Sequence, residues 1–271
     1  MSTTRTVVFI TGANTGIGYQ TVLHLLKSDL PYHIFLGARS DEKSNKAIET
    51  LKQEVPYTTS ELTPAVVDLE SDDSIERAFK AVQTVTDRID VLINNAGVEL
   101  DSVGPQNGLS TREIFDKTWT TNVTGPHILT AKFIPSLIKS SNPRLLFITS
   151  GTASFALSQN PEFILNKYPV AGWPKPHQRE LPAYKASKVG LNMIMRDWHR
   201  ILKNDGVKVW TVNPGLVVTG LGGDPELLRK IGAGDPSGSG EFITAVVEGK
   251  RDQDVGKTVQ RQWLYGNILP F

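Results

Sequence analysis

Apolar residues along the chain switch repeatedly between two spacings. Short continuous runs open each cycle: Val7 to Ile10, Ile34 to Leu36, Ala65 to Val67, Val91 to Ile93, Leu145 to Ile148 and Val207 to Val212. Brief runs that end at turns suit strands covered on both faces, as in a parallel sheet. Between the runs, helical spacing takes over. Val22, Leu23, Leu25 and Leu26 fall toward one side of a helix over 17–27, and Ala47, Ile48, Leu51 and Val55 make a second. Ile75, Ala78, Phe79 and Val82 repeat at i, i+3, i+4 and i+7 behind Ser71, a plausible cap. A capping box at Ser110 and Glu113 opens a long fourth helix, and Val189, Leu191, Ile194, Met195, Trp198, Ile201 and Leu202 line a fifth. Strands separated by helices predict an α/β protein: a doubly wound, Rossmann-type parallel sheet in three layers, α/β/α, with right-handed crossovers. One domain spanning 1–271 accounts for the whole pattern, and its ligands belong beyond the C-terminal ends of the strands.

Two segments break the alternation. Gly151 to Pro182 carries Pro161, Pro169, Pro174, Pro176 and Pro182 among Phe155, Phe163, Tyr168 and Trp173, while Gly232 to Gly240 is a glycine, serine and proline loop. Composition narrows the function more than it informs the fold. A formal charge of +1 gives no field for nucleic acid or an acidic membrane, so affinity for an anion must be local. The absence of cysteine excludes disulfides, thiolate nucleophiles and cysteine-held metals. His24, His33, His127, His177 and His199 lack the spacing of a zinc site, so no metal is expected. Met1 to Thr6 has no apolar leader, and no apolar run reaches the roughly 18–20 residues of a membrane span. A soluble, cytoplasmic protein with a small-molecule ligand is the expectation.

The first run ends in Thr11-Gly12-Ala13-Asn14-Thr15-Gly16-Ile17-Gly18. Glycines there let the backbone approach a phosphate, and the free N–H groups of the following helix supply donors and a favourable dipole. The second run ends at Gly37-Ala38-Arg39-Ser40, where an NAD site commonly holds an acid about 20 residues after the glycines. A guanidinium pairs with a 2′-phosphate, so Arg39 points to NADPH/NADP+, the alternative being a solvated surface residue. Tyr184 and Lys188, four apart at the start of the fifth helix, share one face, and an ammonium beside a phenol lowers its pKa toward the working pH.

These motifs, in this order, resemble those of the short-chain dehydrogenase/reductase family. Thr11 to Gly18 is similar to its TGxxxGxG motif, Asn94-Asn95-Ala96-Gly97 to NNAG, and Tyr184 to Lys188 to the catalytic YxxxK. The resemblance implies a cofactor site built from Gly12, Asn14, Thr15, Gly16, Ile17, Gly18, Arg39, Asp68, Leu69, Asn95, Ala96 and Gly97. It adds Pro214, Gly215, Val217 and Thr219 after the sixth strand, with Lys132, Tyr184 and Lys188 also on the cofactor. It places Ser150 as the serine that hydrogen-bonds the substrate carbonyl, with Thr149 or Ser154 as alternatives. Asn122 corresponds to the family asparagine that interrupts a helix and helps hold a proton-relay water; a helix kink with no chemical duty is its other reading.

Thirty-four positions separate Ser150 from Tyr184, more than in compact members, and the excess resembles the insertion of carbonyl-reductase-like ones. Lying between two catalytic positions, 151–182 is expected either as a lid or wall for a bulky, partly aromatic substrate, with Trp173 contributing, or as an external loop that blocks an oligomer contact. Residues 220–250 are expected to supply a substrate-binding loop and helix. A homodimer, a homotetramer and, because of the insertion, a monomer all remain open. The implied activity is NADPH-dependent reduction of a ketone or aldehyde, with Tyr184 as acid, Ser150 orienting the oxygen, and Lys188 holding the nicotinamide ribose. Two rivals stand beside it: imine reduction or a steered cyclisation on the same cofactor, and a catalytically idle, cofactor-bound sensor or scaffold.

Overall fold

The computed structural model describes residues 5–163, 166–175, 180–221, 224–263 and 266–271; Pro176, His177 and most of the segment before Thr6 lie outside them. The strands are β1 (Thr6–Ile10), β2 (Tyr32–Ala38), β3 (Glu61–Val66), β4 (Val91–Asn94), β5 (Arg144–Ile148), β6 (Lys208–Asn213), β7 (Thr258–Trp263) and β8 (Gly266–Ile268). The α-helices are α1 (Gly16–Lys27), α2 (Asp41–Glu54), α3 (Asp72–Gln83), α4 (Thr111–Trp119), α5 (Gly125–Leu137), α6 (Phe155–Ser158), α7 (Pro182–Ile201), α8 (Pro225–Lys230) and α9 (Ser237–Val247).

The strands form one sheet in the order β3-β2-β1-β4-β5-β6-β7-β8. Pairing is parallel from β3 to β7, and β8 joins antiparallel to β7. Alternation along the strands divides their side chains between two cores. Val8, Ile10, Ile34, Val212 and Val259 pack with α1, α2 and α9 on one face. Phe9, Phe35, Leu92, Phe147 and Val209 pack with α3, α5 and α7 on the other. Phe133 of α5 rests on Phe9 with ring centroids 4.6 Å apart. This is the three-layer α/β/α arrangement that the spacing predicts. The order reverses between β1 and β4, which opens the crevice above their C-terminal ends.

Three features go beyond the sequence reading. β3 starts earlier than its apolar run and carries Pro64, which an edge strand tolerates because one side of it needs no ladder partner. The long helix expected after Ser110 is broken: α4 passes through a π-helical stretch, Thr120–Thr124, before α5 resumes. β7 and β8 extend the sheet beyond β6. The β7 residues Thr258, Val259 and Gln260 are buried although Thr258-Val259-Gln260-Arg261 is mostly polar; Thr211 and Thr258 pair hydroxyls at 2.6 Å, and Asn213 donates to Gln260 at 3.0 Å. No described helix is long and apolar enough to cross a membrane.

The end of the sheet remote from the crevice is closed by charge. Arg144, buried at the start of β5, reaches Asp252 by two bonds of 2.6 and 3.0 Å and donates to the Val246 carbonyl at 3.2 Å. Lys208 of β6 meets the same carboxylate at 2.6 Å. The Arg144 hydrogen bond holds the Asp252 carboxyl below its ordinary range. A group whose folded pKa is depressed stabilises fully above its unfolded value, near 4, and loses that contribution as the pH falls through the folded value. Asp252→Asn should therefore cost about 2 kcal/mol at neutral pH, less than a wholly buried pair because Asp252 is partly solvated. Thermal unfolding at pH 7, 5 and 3 is the check. The gap between wild type and variant should hold from pH 7 to 5 and shrink at pH 3; a constant gap would contradict the account.

Candidate active site

The crevice holds a cleft of about 1400 Å³ running from the end of β2 to β7. Its floor is the turn between β1 and α1. Gly12 and Gly16 have φ of +62° and +57°, where a side chain is strained. A Cβ on Gly12 would lie 2.8 Å from the Ala96 Cα, and one on Gly18 would lie 2.5 Å from the Asn95 Nδ2. The turn is fastened to the end of β4. Asn95 Nδ2 donates to the carbonyls of Thr11 at 2.8 Å and Gly12 at 3.0 Å, and the Thr11 hydroxyl accepts from Asn95 N and Ala96 N, both at 3.0 Å. Thr15, the residue before α1, makes no side-chain cap, which leaves the first-turn N–H groups to a ligand.

Gly12, Asn14, Thr15, Gly16, Ile17, Gly18, Arg39, Asp68, Leu69, Asn95, Ala96, Gly97, Ser150, Tyr184, Lys188, Pro214, Gly215, Val217 and Thr219 all line this single cleft. Arg39 stands at the β2 end with Lys43, a second cation there that the sequence reading did not single out. Lys132 is a correction. It lies on α5 outside the cleft lining and pairs with Glu76 of α3 at 2.6 Å, because an acid one helix away captures its ammonium.

The chemistry clusters where β5, α7 and the loop after β4 meet. Tyr184 sits in the first turn of α7, buried, with Lys188 one turn further on and its Nζ 5.7 Å from the Tyr184 ring centroid. Lys188 Nζ donates to the Ile148 carbonyl at 2.9 Å. Ser150 lines the cleft beside Tyr184, near enough to lower the phenol's pKa, and its hydroxyl lies 2.9 Å from the Thr152 hydroxyl. Of the alternatives to Ser150, Ser154 is turned away, donating to the Pro270 carbonyl at 2.6 Å. Thr149 lines the cleft, but its hydroxyl is buried without a partner.

Burial governs both ionisable groups. Desolvation pushes Tyr184 up to about 12, against the Ser150 hydrogen bond and with help from the nearby Glu99 charge. Desolvation brings Lys188 down to about 8. The expected depression of Tyr184 by Lys188 is therefore not what this arrangement produces: the loss of water around the phenol outweighs it, and the ammonium is engaged by Ile148.

Asn122 does not line the cleft. It is fully buried in the π-helical stretch and pairs with the Val98 backbone, accepting from N at 2.8 Å and donating to O at 2.9 Å, with a third bond of 3.0 Å to Ser187. The amide thus joins the loop after β4 to the active-site helix. Asp101, a residue the sequence reading missed, makes a second join. Its carboxylate accepts from Ala183 N at 3.1 Å and Tyr184 N at 2.9 Å, capping α7 from 82 positions away where Leu181 offers no side-chain cap. Local capping patterns give no signal for such a partner.

The insertion is also corrected in part. Trp173 and Tyr168 are 87% and 88% exposed and lie off the cleft, whereas Phe163 and Leu181 line it. Segments on both sides of Phe163 are tied inward, with Leu157 buried and Asn166 Nδ2 bonded to the carbonyls of Leu157 and Asn160, while the Trp173 ring has no comparable apolar seat. From the C-terminal part, Leu228 and Ile231 around α8, Phe242 of α9, and Gln260, Arg261 and Asn267 complete the lining. Among the described residues no cluster of acidic or histidine side chains is arranged to hold a metal.

Comparison with known proteins agrees with this geometry. A family model described as short chain dehydrogenase matches residues 6–181 and 164–226. The chain is 39% identical over 271 residues to the short-chain dehydrogenase/reductase tropE of Talaromyces stipitatus, covering 97% of each chain. It is 43% identical over 257 residues to eupG of a Phoma species, covering 92% of each. In fold it matches the NADPH-bound carbonyl reductase from chicken fatty liver, with a TM-score of 0.77 at 23% identity over 99% of this chain and 100% of that one. The carbonyl reductase Sniffer of D. melanogaster follows with a TM-score of 0.73 at 22% identity over the same shares. The chain belongs to the short-chain dehydrogenase family and is a nicotinamide-dinucleotide-dependent oxidoreductase. The residues present fit that cofactor, since the side-chain-free turn at Gly12 and Gly16 and the uncapped start of α1 accept a diphosphate.

Asp101→Ala should lower stability by about 1 kcal/mol, as loss of a helix cap does. It should also raise amide exchange selectively at Ala183 and Tyr184. Unchanged exchange at those two amides would mean that α7 does not rely on the distant cap.

Proposed function

We propose that the protein reduces a ketone or aldehyde at the expense of NADPH, with Tyr184 as the proton donor. The observation that carries the reading is Tyr184 itself: a buried phenol on the cleft, beside Ser150, with Lys188 on the same helical face. With its pKa pushed up to about 12, the phenol is protonated at neutral pH, the state an acid must start from. Among the solved structures that share this fold, one is a carbonyl reductase with NADPH bound, which supports the reaction class and is consistent with the cofactor.

When bound, the cofactor supplies the hydride, and the protein supplies position and charge. The Ser150 hydroxyl donates to the carbonyl oxygen and orients it. Tyr184 gives that oxygen its proton as negative charge develops, and Lys188 stabilises the resulting phenolate. Lys188 also serves as the hydrogen-bond donor for the nicotinamide ribose. Asn122 holds the backbone beside Lys188 in place: a Cβ on Gly97 would stand 3.1 Å from the Asn122 Oδ1 and 3.3 Å from the Lys188 Nζ. Leu228, Ile231 and Phe242, with Phe163 opposite, form the apolar wall for the substrate.

Arg39, exposed and reaching the cleft, pairs with the 2′-phosphate in this reading, with Lys43 reinforcing it. Arg39→Asp removes the partner and adds a repelling charge, so affinity for NADPH should fall by tenfold or more while that for NADH holds or rises. Fluorescence titration of both cofactors is the measure; equal affinity in the wild type would refute the role.

Tyr184→Phe keeps the ring and removes one hydroxyl. Turnover should fall by about a thousandfold, within the span attributed to a general acid, while NADPH binding changes little. Aldehyde-dependent oxidation of NADPH, followed at 340 nm beside the titration, reads both. Turnover retained in the variant would assign the proton to another donor.

A further inference from the structure

Among the described residues three acids reach the cleft, Asp68, Glu70 and Glu99, and of these only Glu99 is buried, at 5% exposure. The mechanism above gives it no task. Its Oε1 accepts from Ser102 N at 2.8 Å, but Oε2 has no hydrogen-bond partner and is shut off from solvent. A buried carboxylate oxygen without a donor is costly, and such an orphan beside a ligand cleft points to a donor carried by the ligand. The backbone around it is fixed on both sides, by the Asn122 bond to Val98 and by the Asp101 bonds to α7. Its last torsion is soft, so a small turn presents the free oxygen to the cleft. Leu100 and Val103 on the same loop give the lining beside it an apolar character.

We propose that Glu99 is the specificity-determining residue of the substrate pocket, its free oxygen accepting a hydrogen bond from an O–H group on the carbonyl substrate. The substrate class is then a hydroxylated aldehyde or ketone, and the assignment rests on the carbonyl-reduction reading. Glu99 and Tyr184 line the same cleft, and the charge of Glu99 is felt at the phenol, whose pKa it raises.

The experiment compares 2-, 3- and 4-hydroxybenzaldehyde, each with its methoxy counterpart, in the full-length enzyme with NADPH. The wild type should favour at least one hydroxy compound over its methoxy partner by about tenfold or more in kcat/KM, the scale of a charge-assisted bond. Glu99→Gln keeps the shape. Its carbonyl takes the Ser102 bond and turns an NH2 group, a donor, to where Oε2 was. The hydroxy-to-methoxy ratio should then collapse to about one or invert, with KM carrying most of the change and the melting temperature nearly unmoved. A ratio the same in Glu99→Gln as in wild type overturns the assignment while leaving carbonyl reduction intact, as does an equal loss for both members of a pair. If no aldehyde is turned over by the wild type, carbonyl reduction falls and this assignment falls with it.

Discussion

The clasp between Asn95 and the turn after β1 is the interaction on which the cleft depends. At the switch point the chain leaves β1 and β4 in opposite directions, and the two loop ends must be held within reach of each other without side chains filling the gap. Asn95 does this with one amide nitrogen shared between the Thr11 and Gly12 carbonyls, while the Thr11 hydroxyl answers two N–H groups from the other side. Thr11 is fully buried, so an unanswered carbonyl or hydroxyl there would cost about 1–3 kcal/mol. The glycines have a matching reason. With a Cβ on Gly12 at 2.8 Å from the Ala96 backbone, the clasp could not close. What remains free is the first turn of α1, whose donors face the cleft because no side chain caps them.

From β4 the same loop carries the constraint on to the catalytic helix. Asn122 reads the Val98 backbone as a strand neighbour would, and its third bond reaches Ser187, whose hydroxyl in turn donates to the Tyr184 carbonyl at 2.7 Å. A regular helix from Ser110 onward would follow a different course through this point. The π-helical stretch absorbs the extra residue that brings Asn122 inward, a local irregularity of the kind found at functional sites. Asp101 then fixes the first turn of α7 from the same loop. Tyr184 is thus positioned by groups 62 and 83 residues before it in the chain, Asn122 and Asp101.

How much of this was legible in the sequence follows from which forces are local. The apolar runs and helical stripes marked the first six strands along the chain because burial on both faces leaves a periodic record. β7 and β8 left little record: Thr258 and Gln260 are buried by pairing with Thr211 and Asn213, so polar residues occupy interior positions that periodicity assigns to the surface. The glycine turn, Ser150, Tyr184 and Lys188 were readable as motifs. Lys132 was misplaced because sequence order does not reveal which acid a surface cation meets, here Glu76. Asp101 and Glu99 carry no motif at all, their meaning arising only when the loop after β4 folds against α7. Trp173 was over-read for the opposite reason, since aromatic character alone does not say whether a ring has anything to pack on.

The electrostatics of the cleft set the protonation state from which Tyr184 starts. Water is excluded around Tyr184 and Lys188, and each is driven toward its neutral form, the phenol up to about 12 and the ammonium down to about 8. Near neutral pH that leaves a protonated phenol beside a lysine that is still largely charged and anchored to Ile148. Moving the phenol from 10 to about 12 disfavours its anion by roughly 3 kcal/mol. Oxidation of an alcohol needs that anion at the outset, whereas reduction needs the phenol and forms the anion only as the proton departs. Glu99 weights the balance the same way, because its charge opposes a second negative charge nearby. In the carbonyl-reduction reading, burial, the dominant contribution, and Glu99 both hold Tyr184 in the protonated form a donor starts from, with Ser150 alone pulling in the other direction.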